Sequence, residues 1–250
     1  MKPKTAVLGA DLHFPEFDRP TVSCMFEFID YVKPEIFVFM GDQFNNQSIS
    51  HHTAGRPGLR LKREFKTDTL EFERQILTPL EKLLPKNAMK VWIKGNHDGW
   101  IEEFYEIMPE LEGMLDREEY YRLRDRGWTV IQEGHSWKYG KLTHIHGETL
   151  KTQNHAKNAV ETLCRNVVYG HFHTPQSWTK VLPHDASQKW AAQCLPILGA
   201  MNPGYLKNKP TNWVQGFGVV EYHSDGAFNL FPVNTINGRA AYGGKIYGKK

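Results

Sequence analysis

Apolar residues along the chain fall into short blocks whose spacing alternates between that of a buried strand and that of a helix face. Thr5 to Ala10 is a brief β-prone run, and from Thr21 to Lys33 the residues Val22, Met25, Phe26, Ile29 and Val32 recur at helical spacing before Pro34. Ile36-Phe37-Val38-Phe39-Met40 is continuously apolar, as a strand covered on both faces must be. The opening therefore predicts a βαβ unit with a parallel sheet. Leu70, Ile76, Leu77, Leu80, Leu83 and Leu84 give a second helical stripe despite Pro79, and a strand follows at Met89 to Ile93. Trp100 to Leu115 reads as an acidic amphipathic helix carrying Ile101, Phe104, Tyr105, Met108 and Leu111, broken or kinked at Pro109.

Strand-like stretches dominate the second half, at Trp128 to Gln132, Ser136 to Tyr139 and Leu142 to Ile145. A short helix carries Ala159, Val160 and Leu163, Val167 to Tyr169 is another brief buried strand, and hairpins are expected over Gln176–Leu182, Ala191–Leu198, Phe217–Tyr222 and Phe228–Val233. Nothing in this half has the composition of a linker. The pattern predicts an α/β fold with one domain over residues 1–233 and a basic, glycine-rich C-terminal tail over 234–250.

Composition narrows the class. A chain of 250 residues can bury about three quarters of its unfolded surface. Its 40% hydrophobic and 24% charged residues sit near globular averages, which excludes disordered, collagenous and repeat proteins. The longest strongly apolar run, Ile36 to Met40, falls far short of the ~20 residues of a membrane span, so no membrane partner is expected. Met1 to Lys4 with the six residues after them resemble a signal peptide until Asp11 cuts the run off, and a first strand is the better reading. Cys24, Cys164 and Cys194 are odd in number and far apart, which argues for a reducing, cytoplasmic compartment rather than a disulfide framework. The net charge is +3, but Arg239, Lys245, Lys249 and Lys250 lie together near the end with no acid among them. The rest is close to neutral, so contact with nucleic acid has to rest on local patches.

Twelve histidines are the departure from the ordinary, and several sit where strands end. The first strand runs into Asp11-Leu12-His13, the second into Gly41-Asp42 and the third into Gly95-Asn96-His97-Asp98; later strands run into His144-Ile145-His146-Gly147 and Gly170-His171-Phe172-His173. Loops leaving the carboxyl ends of strands converge in open α/β sheets, and these loops all carry metal-type ligands. In D-x-H and H-x-H the two named side chains can share one side of an extended or turning segment. Any one motif is weak, but five in order are not. His144 and His146 compete as ligands, His51 and His52 read as solvated or as reaching the site, and His135, His155, His184 and His223 read as structural or surface residues.

Together these motifs resemble the calcineurin-like metallophosphoesterase superfamily, over Asp11 to His173. The resemblance implies two mixed β-sheets packed face to face with helices outside, a four-layer fold around two divalent metal ions. It assigns Asp11, His13 and His173 to the first metal, Asp42 as the bridge, and Asn96, His146 and His171 to the second. His146 is preferred to His144 because the family places a glycine directly after its ligand, and Gly147 follows His146. His97 is the catalytic histidine implied, oriented by Asp98. Two cations on a shared carboxylate clamp a phosphoryl oxygen and lower a shared water's pKa toward neutrality, so that hydroxide can attack phosphorus. Imidazole and carboxylate donors without thiolate suit manganese, the first expectation, and Fe, Zn, Ni or Co better than Mg or Ca.

The protein serine/threonine phosphatase branch carries G-D-x-V-D-R-G and an arginine before G-N-H-E. This chain has Gly41-Asp42-Gln43-Phe44-Asn45-Asn46, and Lys94 before Gly95. The groups that hold a monoester's extra charge are missing, so the resemblance points to the phosphodiesterase and nuclease side, in phage or bacterial form, with DNA or RNA as substrate in the cytoplasm of the cell or of a phage host. Exonucleases often have a histidine where Asn45 stands. A phosphomonoesterase for small phosphate esters or nucleotides is the alternative, and a binding module without catalysis is disfavoured by the presence of His97. Arg56, Arg60, Lys62, Arg63 and Lys66 against Glu64 form a basic stretch that reads equally as a phosphate track or a solvated face. Tyr242 and Tyr247 among the tail lysines suggest base stacking, though such ends are more often disordered or packed on a neighbouring copy in a homo-oligomer. Trp178, Trp190 and Trp213 read as core rather than substrate wall.

Overall fold

The computed structural model describes residues 2–53, 64–150, 153–206 and 209–248. Strands β1 (Lys4–Gly9), β2 (Ile36–Met40), β3 (Met89–Ile93) and β4 (Trp128–Ile131) run parallel, and β10 (Gly216–Tyr222) and β11 (Phe228–Asn234) complete a mixed sheet of order β11-β10-β1-β2-β3-β4. The second sheet has the order β5-β6-β7-β9-β8, from β5 (Trp137–Tyr139), β6 (Leu142–His144), β7 (Val167–Tyr169), β8 (Ser177–Leu182) and β9 (Asp185–Cys194); only β6-β7 and β7-β9 are parallel in it.

Side chains alternate across each strand, and the alternation assigns the layers. Ala6, Leu8, Ile36, Val38, Met40, Val91 and Ile93 on one face of the first sheet pack against Leu142 and Val168 of the second. Val7, Phe37, Phe39, Trp92 and Phe217 on the other face pack under α1 (Arg19–Val32) and the helical stretch that begins with α2 (Phe65–Phe72). The outer face of the second sheet, with Val167, Tyr169, Ala192 and Cys194, is covered by Ala156, Ala159 and Val160. The order is helix, sheet, sheet, helix, as the resemblance implies.

Local chemistry sets the helix ends. Asp18 caps α1 by accepting from the Thr21 N–H at 2.8 Å, and Lys33 closes it in a left-handed conformation. Pro79 is accommodated because α2 passes through a widened π turn (Glu73–Leu77) into α3 (Thr78–Leu83), which removes the clash a proline ring makes with the carbonyl four residues back. The helix expected over Trp100–Leu115 instead starts at Asn96 and ends at Ile107 (α4), with Pro109 opening a 3-10 turn. Asp98 is the missed start signal: its carboxylate accepts from the Gly95 N–H at 2.8 Å, an acidic residue closing the first turn. The short α5 (Arg117–Tyr120) carried no periodic signal, and α6 (His155–Leu163) is the helix over the second sheet.

The tail also differs from expectation. β12 (Ala240–Tyr242) and β13 (Lys245–Tyr247) form a hairpin turned by Gly243 and Gly244, both at positive φ. Tyr247 is buried with its ring 5.0 Å from that of Phe28 on α1, so it has no free face for a base. Among the described residues no helix is long and apolar enough to cross a membrane, and all three cysteines are free.

Candidate metal centre

The two sheets bring five strand ends to one edge. Beyond β1 the chain turns at Asp11 and His13, beyond β2 at Asp42, beyond β3 into α4 at Asn96, beyond β6 at His146, and beyond β7 at His171 and His173. Asp11, His13, Asp42, His171 and His173 all have φ between 51° and 67°, the left-handed region that residues with a side chain rarely adopt. D-x-H and the second H-x-H thus converge through tight turns, not by sharing a face of an extended strand. Gly41 is required on two counts: its φ is 103°, and a Cβ there would run into His146 Nδ1.

Three groups of donors result. Asp11, His13 and His173 form one, Asp42, His146 and His171 another, with all donor atoms of each group within 4.8 Å of one another. Asn96 joins the second, its Oδ1 standing 3.1 Å from His146 Nε2 and 3.0 Å from His171 Nδ1. The third group is His13, Asp42 and His97, so Asp42 lies where the first two meet. Every predicted ligand is brought together here. His144 is not: its Nδ1 faces the Trp137 carbonyl, its Nε2 stands 2.9 Å from the Tyr222 hydroxyl, and burial pushes its pKa down to about 3.

The donors are held from behind. Both Asp11 oxygens accept from the His171 N–H, at 3.0 and 2.9 Å, and Asp42 Oδ1 accepts from the His97 N–H at 3.0 Å. His146 Nδ1 lies 3.0 Å from the Met40 carbonyl, which orients Nε2 toward Asp42 Oδ2, 3.2 Å away. The residues fit divalent cations by their own geometry. His13 Nε2 and His173 Nε2 face each other at 3.1 Å, and His13 Nδ1 is buried with no hydrogen-bond partner. Two ring nitrogens facing each other beside the Asp11 carboxylate can both turn lone pairs to one point, and a cation there accepts both.

Electrostatics follow from the crowding. Burial raises the Asp42 pKa, but His146 and His97 beside it prevail and hold it well below the usual carboxylate range. Burial likewise opposes charge on His146, and Asp42 outweighs it, pushing His146 up to about 10. His13 is driven well below its ordinary value by burial, and then by His97 and His173.

His97 lies against the donors, its ring 4.7 Å from that of His13 between centroids, and has further partners of its own. Its Nδ1 is 3.1 Å from the Asn45 carbonyl, its ring stacks on Trp100 at 3.9 Å between centroids, and Nε2 is 3.8 Å from Asp42 Oδ2. Asp98, expected to orient His97, bonds the Gly95 N–H instead; burial, then Asp42, raises its pKa to about 6. Trp100 was legible only as an apolar helix position, and starting α4 at Asn96 puts it one turn beyond His97.

Other neighbours escaped sequence reasoning. Glu148 accepts from the Gly147 and Gly134 N–H groups, and Glu133 packs where a Cβ on Gly99 would run into its Oε2. Burial and then Glu148 raise Glu133 to about 7. Trp213 is not core: its ring meets His173 edge-on at 4.3 Å, while Trp178 is exposed. His51 pairs with Glu103 at 2.7 Å, and His155 stacks on Phe172 at 4.1 Å behind the site. Arg56, Arg60, Lys62 and Arg63 of the basic stretch, with Lys249 and Lys250 of the tail, lie outside the described residues.

The chain is similar to known proteins over most of its length. The Gene 54 protein of Mycobacterium phage D29 is 25% identical over 262 residues, covering 98% of each chain. Among solved structures, a predicted phosphoesterase from Streptococcus pneumoniae TIGR4 aligns with 100% of this chain and 99% of its own at 12% identity and a TM-score of 0.43. A dimetal phosphatase from Danio rerio covers 90% of this chain and 94% of its own at 9% identity, also with a TM-score of 0.43. The family model for calcineurin-like phosphoesterases matches residues 6–200, a span that includes every donor named above, and the chain therefore belongs to that family of metal-dependent phosphoester hydrolases.

Proposed function

We propose that this hydrolase acts on phosphodiesters, with nucleic acid as the substrate class, and that it uses two divalent cations. Asp11, His13 and His173 would hold the first, Asn96, His146 and His171 the second, with Asp42 shared. The observation that carries this reading is that Asp42 stands between two donor groups with His97 beside it. When bound, the cation pair supplies Lewis acidity toward a phosphoryl oxygen and an acidified water. The chain's own residues do the rest. Asp42 and Asp11 are locked by backbone N–H groups, so the donors need little rearrangement during the reaction. His97, held at Nδ1 by Asn45 and on one face by Trp100, presents Nε2 to the substrate; in its imidazolium form it keeps the Nδ1 proton on the Asn45 carbonyl and passes the Nε2 proton to the leaving oxygen, returning to neutral imidazole, a step worth ~10²–10⁴ in rate.

Charge around the centre supports a diester over a monoester. Lys94, at the position where protein phosphatases have arginine, is committed to Glu118 at 3.4 Å. Asn46 replaces the other arginine and donates to the His97 carbonyl at 2.7 Å. Glu148 adds negative charge beside His146, which disfavours a dianion more than a monoanion. The basic stretch from Arg56 to Lys66 then supports a polyanionic substrate. Three free thiols suit a reducing cytoplasm.

The test compares kcat/KM for an aryl diester and an aryl monoester in manganese, then cleavage of single-stranded DNA, duplex DNA and RNA. The expected result is a diester preference with cleavage of at least one polymer. A monoester preference would overturn the diester reading, and diester turnover with every polymer intact would overturn the nucleic-acid reading.

A further inference from the structure

Helix α5 delivers a cation to a place where Asp98 and Asp68 favour it only from beyond ion-pair distance. Arg117 is 6% exposed, and its guanidinium lies between the rings of Phe44 and Phe65, 3.6 and 3.8 Å from their centroids. Among the described residues no carboxylate forms an ion pair with it. Instead Nε donates to Thr69 Oγ1 at 2.9 Å and Nη1 donates to Asn46 Oδ1 at 2.6 Å. A buried, unpaired guanidinium is expensive, and burial lowers its pKa to about 10. What the fold obtains in exchange is a fixed Asn46.

Asn46 is the hinge of the arrangement. It sits at a φ of 48°, and its Nδ2 donates to the His97 carbonyl at 2.7 Å. The residue before it, Asn45, turns its carbonyl to His97 Nδ1 at 3.1 Å. Asn45 is held on its other side by Glu16, to which its Nδ2 donates at 2.7 Å. His97 is therefore gripped twice by the same two-residue turn, once at its backbone and once at its ring, and Arg117 is the group that closes the turn from the protein side.

We propose that Arg117 is a positioning residue: acting through Asn46, it holds the turn that places the Asn45 carbonyl on His97 Nδ1 and so fixes the direction of that imidazole. The proposal rests on the reading of His97 as the proton donor. It also explains the choice of residue. Two flat faces stack on two rings while the edge donates in two directions, which a guanidinium can do and an ammonium cannot.

The test is a double-mutant cycle read on an aryl diester, with metal content measured on every variant. Asn46→Ala and Arg117→Met are expected to lower kcat by ~10–10²-fold, the scale of a misplaced reacting group, with KM within about twofold and metal retained. Arg117→Lys is expected not to restore kcat. In the His97→Ala background, adding Asn46→Ala should change kcat by less than about twofold, because the grip then has nothing to hold. Nitrogen-15 spectra of the zinc-loaded protein should show the His97 Nδ1 proton hydrogen-bonded and protected from exchange in the wild type and exchanging faster in Asn46→Ala. Arg117→Lys keeps a buried cation and remains decisive if Arg117→Met fails to fold: full kcat in it would overturn the proposal. Full kcat in Asn46→Ala, or losses that multiply in the His97→Ala background, would overturn the proposal while leaving His97 in its role. Wild-type kcat in His97→Ala alone would overturn that role and the proposal with it.

Discussion

Removing the cations gives the most direct test of the centre. Two donor groups bury two carboxylates and four imidazoles, together with the Asn96 amide oxygen. Each bound cation at a hundredfold excess over its dissociation constant stabilises the folded state by about 2.7 kcal/mol, so two sites contribute roughly 5 kcal/mol. For a chain of this length 1 kcal/mol moves Tm by about 2–4 °C, and the holo-to-apo difference should be ~10–20 °C. The assay is thermal unfolding of chelator-treated protein titrated with manganese. Asp42→Asn keeps the shape of the shared ligand and removes its charge, and should abolish most of the shift. His13→Ala removes a donor from the first group only, and should leave about half of it. His97→Ala should leave nearly all of it while losing most turnover, because His97 is tied to Asn45 and Trp100. Equal loss of the shift in His97→Ala and Asp42→Asn would show that the third grouping, His13, Asp42 and His97, is a metal site and that the roles are wrongly divided.

Three further outcomes are expected. Gly95→Ala should lose metal and activity, because the new methyl would run into Asp42 Oδ1 and stand 2.6 Å from the Asp42 backbone nitrogen and 2.8 Å from His146 Nε2; metal content of the purified variant is the check. Folded His155 resists protonation down to about pH 4 through burial, and then through His171, while an unfolded imidazole titrates near 6.5. Its contribution is therefore complete above about pH 6.5 and declines as the pH falls toward 4, so the stability gap between wild type and His155→Gln, from urea midpoints, should shrink between pH 7.5 and pH 5. Tyr247→Ala should cost ~3 kcal/mol in the same measurement, since it empties a buried site against Phe28 and Tyr31; an unchanged midpoint would mean the tail hairpin is not part of the folded body.

The donors could be found in the sequence because ligand chemistry tolerates few residue types and because each donor follows an apolar strand. The parallel core was legible for the same reason: Ile36 to Met40 admits hardly any other reading. What escaped was everything whose role depends on contact across the fold. Trp100 and Trp213 are apolar residues like any others until His97 and His173 lie against them. Glu133 and Glu148 become a pair only when β4 and β6 bring Gly134 and Gly147 together on the Glu148 carboxylate. The start of α4 was misplaced because the motif itself forms its first turn, with polar residues where a helical stripe was sought. The tail hairpin escapes a compositional reading because Gly243 and Gly244, which look like loosely ordered chain, form its turn.

Backbone conformation links these observations. Asp11, His13, Asp42, His171 and His173 all occupy left-handed φ, a choice that costs each of them about 1 kcal/mol or more over an ordinary one. At His171 a local turn goes with it, the Phe172 N–H donating to the Gly170 carbonyl at 2.8 Å. The turns are held because the loops are cross-tied, Asp11 N–H to Gly41 at 3.2 Å, His13 N–H to Asp42 at 2.9 Å and Gly170 N–H to His146 at 2.9 Å. Each tie joins two donor loops, so a change in one turn displaces a ligand in another. The same logic places Asn46, also left-handed, under the control of Arg117. Strain collects where side chains from separate strands must meet at one point, and the protein meets it with backbone ties among the donors and a buried guanidinium behind the histidine that is not one of them.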